Sequence, residues 1–206
     1  MSRRNVKKKW LKNHFRDFYV RECQKYNFRS RAWFKLKEIQ EKFKILRKGM
    51  SLVDLGSSPG SWSEYAIKIV GKKSFFLAFD ILPMKPIPGV DFFQKDINKG
   101  KILNFFYKNK NIKKVNLVMS DMAPNISGFF DIDMVKILKL SESALNLTKK
   151  ILTKNGIFLI KLFQGSGFSD YIHRLRLLFL KVYIYKPNSS RSSSREVFIV
   201  AVGRKI

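Results

Sequence analysis

The chain has 206 residues, a length that fits one domain with an arm better than two domains. Forty-two Lys and Arg against fifteen Asp and Glu leave a net charge of +27, too one-sided for an enzyme of small neutral metabolites and suited to a polyanion, although an A+T-rich coding bias towards Lys and Phe produces the same excess. One cysteine, Cys23, excludes an internal disulfide framework, and with His14 and His173 as the only histidines no Cys/His zinc constellation can be assembled, so no metal is expected.

Residues 1–31 read as a basic arm, and residues 1–50 together carry seventeen Lys and Arg against four Asp and Glu. The arm lacks the apolar centre of a secretory signal, while its acid-poor composition is also that of an organellar targeting segment. No apolar run approaches the ~20 residues of a membrane span, so a cytoplasmic chain without membrane contact is expected. From Arg31 to Leu46, the residues Trp33, Leu36, Ile39, Phe43 and Leu46 recur at three- and four-residue steps, which predicts a helix with one docked face.

From Met50 onward, short apolar runs alternate with longer amphipathic stretches, the pattern of βα units around a parallel sheet. The predicted strands are Ser51–Leu55, Phe75–Asp80, Val90–Gln94, Val115–Asp121, Ile157–Phe163, Lys181–Tyr185 and Glu196–Val202. Helices are predicted near Ser61–Val70, Ile97–Tyr107, Ile132–Leu152 and Ser169–Leu180. About ten residues join the last two strands, too few for a helical crossover, so these are expected to pair antiparallel at an edge. Ile81–Gly89 holds Pro83, Pro86 and Pro88 and must be a stiff loop. Pro187–Arg195, with five serines around Arg191, has the composition of a flexible loop.

Ligands of open α/β sheets sit at the carboxyl ends of strands where the strand order reverses, which selects the residues to inspect. The first strand runs into Asp54-Leu55-Gly56-Ser57-Ser58-Pro59-Gly60-Ser61-Trp62, a turn that admits a ligand close to the backbone. It lacks the G-x-G-x-x-G spacing, and Pro59 has no N–H for a pyrophosphate, so a ligand without one is expected. Asp80 ends the second strand, where a carboxylate accepts the two hydroxyls of an adenosine ribose. Asp96 follows the third strand and suits either an adenine amino group or a helix N-cap. Together these fit S-adenosylmethionine. Asp121 ends the fourth strand at the same rim, as a site residue or a turn former. In the fifth strand, Lys161 interrupts the run Ile157-Phe158-Leu159-Ile160-Lys161-Leu162-Phe163, and an ammonium there needs a carboxylate partner or a site-facing cavity. His14, His173 and Cys23 have no candidate partners, and Trp33 and Phe34 at helical spacing read as core.

The runs Arg29-Ser30-Arg31-Ala32-Trp33-Phe34-Lys35-Leu36, Val53-Asp54-Leu55-Gly56-Ser57-Ser58-Pro59-Gly60-Ser61-Trp62, Ser120-Asp121-Met122-Ala123-Pro124-Asn125 and Ser194-Arg195-Glu196-Val197 resemble the FtsJ/RrmJ ribosomal RNA 2′-O-methyltransferases, collinearly from about Trp10 to the end. Ser57, Ser58 and Ser61 depart from the family's usual Ala and Gly in the glycine-rich turn. The resemblance implies a Rossmann-like, S-adenosylmethionine-dependent α/β fold: a seven-stranded, mostly parallel sheet with an antiparallel edge, one methyltransferase domain over residues 32–206. It also implies a Lys-Asp-Lys-Glu tetrad on Lys35, Asp121, Lys161 and Glu196, and cofactor contacts on Gly60, Trp62, Asp80, Asp96 and Asp121. The implied substrate is the ribose 2′-hydroxyl of a uridine in 23S rRNA within the large ribosomal subunit, with a monomeric enzyme and no DNA partner. Lys161 is then the residue that accepts the hydroxyl proton or orients the oxygen, Lys35 positions ribose or phosphate, and Glu196 holds a lysine. Two alternatives stay open: a non-catalytic RNA-binding assembly factor, which leaves Lys161 without a reason, and 2′-O-methylation of transfer RNA or a messenger cap, whose enzymes commonly carry extensions not seen here.

Overall fold

In the computed structural model, which describes residues 17–97, 102–103 and 114–205, the chain runs α1 (Phe18–Lys25), α2 (Ala32–Phe43), β1 (Leu52–Leu55), α3 (Ser61–Val70), β2 (Phe76–Asp80), β3 (Asp91–Gln94), β4 (Val115–Ser120), α4 (Phe130–Ile151), β5 (Leu152–Phe163), α5 (Phe168–Leu178), β6 (Phe179–Tyr185) and β7 (Glu196–Arg204). The seven strands form one sheet of order β3-β2-β1-β4-β5-β7-β6. Strands β3, β2, β1, β4 and β5 are parallel, and β7 runs antiparallel to both of its neighbours. The last two strands pair antiparallel at the edge, as their short connection requires, with β6 outermost. The order reverses between β1 and β4, so the ligand crevice is expected above their carboxyl ends.

Strand residues alternate between two cores. Val53, Leu55, Phe79, Val118 and Phe158 face α4 and α5, which contribute Ala144 and Tyr171. Leu52, Ala78, Leu117, Leu159 and Phe198 face α2 and α3, which contribute Leu36, Ile39, Trp62 and Ala66. Each large side chain so buried stabilises the fold by roughly 1.5–3 kcal/mol. This alternation directs the chemistry. Lys161 shares its parity with Ile157 and Leu159, and Glu196 shares its parity with Phe198, so both polar residues are delivered to the face covered by α2.

Several boundaries move. The helix expected over Arg31–Leu46 stops at Phe43, because Lys44 turns left-handed (φ 52°) and the Gln40 side chain takes both the N–H and the C=O of Leu46 (2.7 and 2.9 Å). β5 begins directly after α4, since a bulge at Val115/Leu117 lets Leu152 join the ladder before Ile157. The helix expected over Ile97–Tyr107 lies largely outside the described residues. The packing extends N-terminal to Ala32: Asp17 caps α1 by accepting the Tyr19 N–H (3.0 Å), Val20 and Cys23 are buried, and Arg31 pairs with Asp17. The remaining sixteen residues of the expected arm, His14 among them, lie outside the described residues.

The serine-rich segment is held in place. Glu38 on α2 accepts the backbone N–H groups of Asn188 (2.7 Å) and Ser189 (2.9 Å), and Arg31 donates to the Ser189 carbonyl. Lys186 donates to the carbonyls of Ser192 and Ser194, and Ser189 and Ser190 are buried. Among the described residues no helix is long and apolar enough to cross a membrane.

Candidate active site

The turn after β1 is stitched to β2: Gly56 and Ser57 donate to the Phe79 carbonyl (2.8 and 3.2 Å). Gly56 has φ +74°, and a β-carbon there would lie 2.6 Å from Met122 Cγ and 2.9 Å from the Met122 backbone. Only glycine lets the loops after β1 and β4 close on each other. On the outer side, the Arg29 guanidinium donates to the carbonyls of Pro59 (2.9 Å), Lys85 (2.7 Å) and Pro86 (2.9 Å), tying the turn to the proline loop. Ser58 Oγ adds a tie to that loop by donating to the Pro83 carbonyl at 3.0 Å, and Ser61 Oγ meets Ser30 Oγ at 2.7 Å.

Above this turn lies a cavity of about 560 Å³, within the ~300–1,000 Å³ usual for small-molecule sites. Asp80, Asp96 and Asp121 line it together with Ile81, Ile97, Met122 and Leu140. Asp80 Oδ2 accepts the Ser58 N–H and Oδ1 the Leu82 N–H, each at 2.8 Å, and each oxygen keeps a second lone pair for a ligand. Gly60 and Trp62, expected as cofactor contacts, are not among the residues lining the cavity. The missing β-carbon of Gly60 faces Arg29, Met84 and Ile87, and Trp62 is 2% exposed, donating its indole N–H to the Ala32 carbonyl at 3.0 Å. The Gly60 backbone is engaged as well, its N–H donating to the Ser57 carbonyl (2.6 Å) and its carbonyl accepting the Glu64 N–H (2.8 Å). Trp62 instead braces α2, which carries Lys35, against Phe198 (ring centroids 5.7 Å).

The four tetrad residues come together as two ion pairs. Lys161 Nζ lies 2.7 Å from Asp121 Oδ1 and donates to the Asp121 backbone carbonyl at 2.7 Å. Lys35 Nζ donates to Glu196 Oε1 at 2.5 Å and sits 5.5 Å from the centre of the Phe198 ring. All four side chains are at most 17% exposed. Burial alone would raise the Glu196 carboxyl, but the charge and hydrogen bond of Lys35 and the charge of Lys161 hold it below the ordinary carboxylate range. The carboxylate partner anticipated for Lys161 is Asp121.

Asp54 is a buried acid that the sequence reading left unassigned. It is 1% exposed on β1, its Oδ2 accepting from Ser63 Oγ at 2.7 Å and its Oδ1 buried with no protein partner. Burial pushes its carboxyl up to about 7 against the pull of the Ser63 hydrogen bond, and the charges of Asp121 and Asp80 add to the rise. Its signal was present, since one acid inside Leu52-Val53-Asp54-Leu55 is as anomalous as one lysine inside β5. Three acids, Asp80, Asp96 and Asp121, line the cavity together with Lys95, Lys136 and Lys139.

An open sheet with a carboxylate-lined crevice at its switch point and paired lysines at the rim defines an enzyme of the Rossmann-like methyltransferase class. Residues 28–204 match the FtsJ-like methyltransferase family, and the chain belongs to that family. It therefore uses a methyl donor. It is 48% identical over 197 residues, 96% of each chain, to ribosomal RNA large subunit methyltransferase E of Buchnera aphidicola subsp. Schizaphis graminum. It is 50% identical over 193 residues, 94% of each chain, to the protein of the same name from Buchnera aphidicola subsp. Acyrthosiphon pisum. A crystal structure described as a ribosomal RNA methyltransferase from Plasmodium falciparum superposes with a TM-score of 0.76 at 28% identity, covering 86% of this chain and 98% of that one.

Proposed function

We propose that the protein transfers a methyl group from S-adenosylmethionine to the ribose 2′-hydroxyl of a uridine in 23S rRNA, acting as a cytoplasmic monomer on the large ribosomal subunit. The observation that carries this reading is the Lys161–Asp121 pair at the mouth of the carboxylate-lined cavity, backed by the Lys35–Glu196 pair. The donor set fits the cofactor: Asp80 has acceptors for a ribose diol, Asp96 can accept from an adenine amino group, Ile81, Ile97 and Met122 offer apolar walls, and Asp121 favours a cationic centre. When bound, S-adenosylmethionine supplies an electrophilic methyl group on a sulfonium centre.

The protein's own contribution is to hold the nucleophile and move one proton. Lys161 orients the 2′-oxygen or accepts the hydroxyl proton. Asp121 fixes the position of Lys161 through both its carboxylate and its carbonyl. Lys35, fixed by Glu196, positions the ribose or its phosphate. Most of the rate enhancement comes from this positioning. The relatives' shared name points to large-subunit RNA, and one small domain with an open sheet can grip only a local RNA shape, so the assembled or nearly assembled subunit is the better substrate.

The test is to incubate the protein with methyl-labelled S-adenosylmethionine and large subunits lacking the modification, then map the label by mass spectrometry. A single methyl group on a uridine 2′-oxygen of 23S rRNA is the expected result. Label on a base, on protein or only on transfer RNA overturns the reading.

A further inference from the structure

Two aromatic residues at the start of α4 serve neither core. Phe129 is 70% and Phe130 44% exposed, whereas the buried face of the helix begins at Asp133 and Met134. Their backbone is held firmly. Asp133 Oδ1 accepts the N–H and hydroxyl of Ser127 (2.8 and 2.7 Å), and Oδ2 accepts the Gly128 N–H (2.9 Å).

The pair is also joined to the tetrad. The Arg195 guanidinium lies over the Phe130 ring, 4.6 Å from its centroid, and Arg195 immediately precedes Glu196. Phe130 Cζ occupies the space a β-carbon on Gly165 would need, at 2.9 Å. Gly165 is four residues beyond Lys161, at most about 14 Å of extended chain. A nucleotide flanking one held at Lys161 is within reach of both rings.

We propose that Phe129 and Phe130, with Arg195, form a stacking platform for an unpaired RNA base neighbouring the nucleotide presented to Lys161; this inference rests on the RNA substrate proposed above. Exposed aromatic faces beside a guanidinium are what single-stranded RNA uses, the rings taking bases and the cation a phosphate. Lys136 and Lys139, exposed on the next turns of α4, extend the positive rim. That rim favours a polyanion and repels a second copy of a +27 chain, so the patch is a nucleic-acid surface rather than a dimer seam.

The test uses the full chain and two readouts. In a Phe129→Trp variant, oligouridylate should quench the added indole, measured as the difference from wild type, whereas inorganic polyphosphate of equal charge should not. A Phe129→Ala/Phe130→Ala variant should raise KM for large subunits about 5- to 150-fold, the range for losing base stacking, with S-adenosylmethionine affinity by calorimetry unchanged. No quenching by oligouridylate, equal quenching by polyphosphate, or an unchanged KM overturns the platform. If wild-type protein fails to methylate large subunits, the proposed function falls, and the quenching comparison still decides the platform by itself.

Discussion

Lys161 keeps an ammonium among apolar strand residues because Asp121 offers it a carboxylate and a carbonyl at 2.7 Å each. Lys161→Ala removes the charge along with its need for a partner, so the fold should survive and S-adenosylmethionine affinity should be nearly unchanged. The single-turnover rate should fall roughly 10²–10⁴-fold, as for other positioned acid–base groups; a rate within threefold of wild type excludes Lys161 from the chemistry. Asp80 holds two backbone N–H groups as well as facing the cavity, so Asp80→Ala should weaken cofactor binding roughly 10- to 100-fold by calorimetry, the worth of one charge-assisted hydrogen bond. Asp54 and Glu196 act on stability with opposite signs. The Asp54 carboxyl, raised to about 7 from an ordinary 3.8, binds its proton more tightly folded than unfolded, so stability should fall as pH rises from about 4 to 7, by up to about 4 kcal/mol. Asp54→Asn should abolish that loss, read from urea midpoints at several pH values. Glu196, held low, gives stability that is present above its unfolded pKa and lost as pH falls through its folded one, so Glu196→Gln should flatten the acid limb.

At the level of elements, the parallel strands and their helices were legible because each strand is a short apolar run and each helix an amphipathic one. Lys161 and Asp121 were legible for the same reason, one as a charge out of place and the other as an acid at a strand end. Lys35 and Glu196 carry no such mark: one stands among other helical lysines, the other behind a serine tract, and only the family resemblance singled them out. They meet because β7 inserts between β5 and β6, a pairing that no local pattern encodes. The serine-rich loop reads as flexible for a related reason. Its order comes from Glu38, 150 and 151 residues away in sequence, and from Arg31, neither of them visible in the loop's composition. Glu38→Ala should leave two backbone N–H groups unpaired, costing about 1–3 kcal/mol in urea denaturation. It should also speed tryptic cleavage after Arg191 and Arg195 and lower kcat, because the loop delivers Glu196 to Lys35, while cofactor affinity stays intact because Glu38 does not line the cavity. Unchanged proteolysis would show that the loop orders itself.

Over the whole molecule, three acids and three lysines share the cavity lining, and an excess of cations gives the chain its net charge of +27. Two origins compete for that excess, RNA binding and compositional drift, and they differ in how affinity responds to salt. Each phosphate neutralised by a Lys or Arg releases condensed counterions, steepening the fall of log K with log salt by about 0.7–0.9. Residues 1–16 hold seven Lys and Arg and no acid. They can be deleted while keeping Asp17, Val20 and Cys23, which hold α1 to the body; removing α1 as well would confuse lost charge with lost packing. Deleting residues 1–16 should therefore leave the urea midpoint and cofactor affinity unchanged. It should make the salt slope of large-subunit binding shallower by up to about 5, the full value applying if all seven cations sit on phosphates. An unchanged slope, with weaker or equal binding, assigns those seven charges to drift and moves the search for the RNA-binding surface to the cations around Arg195 and α4.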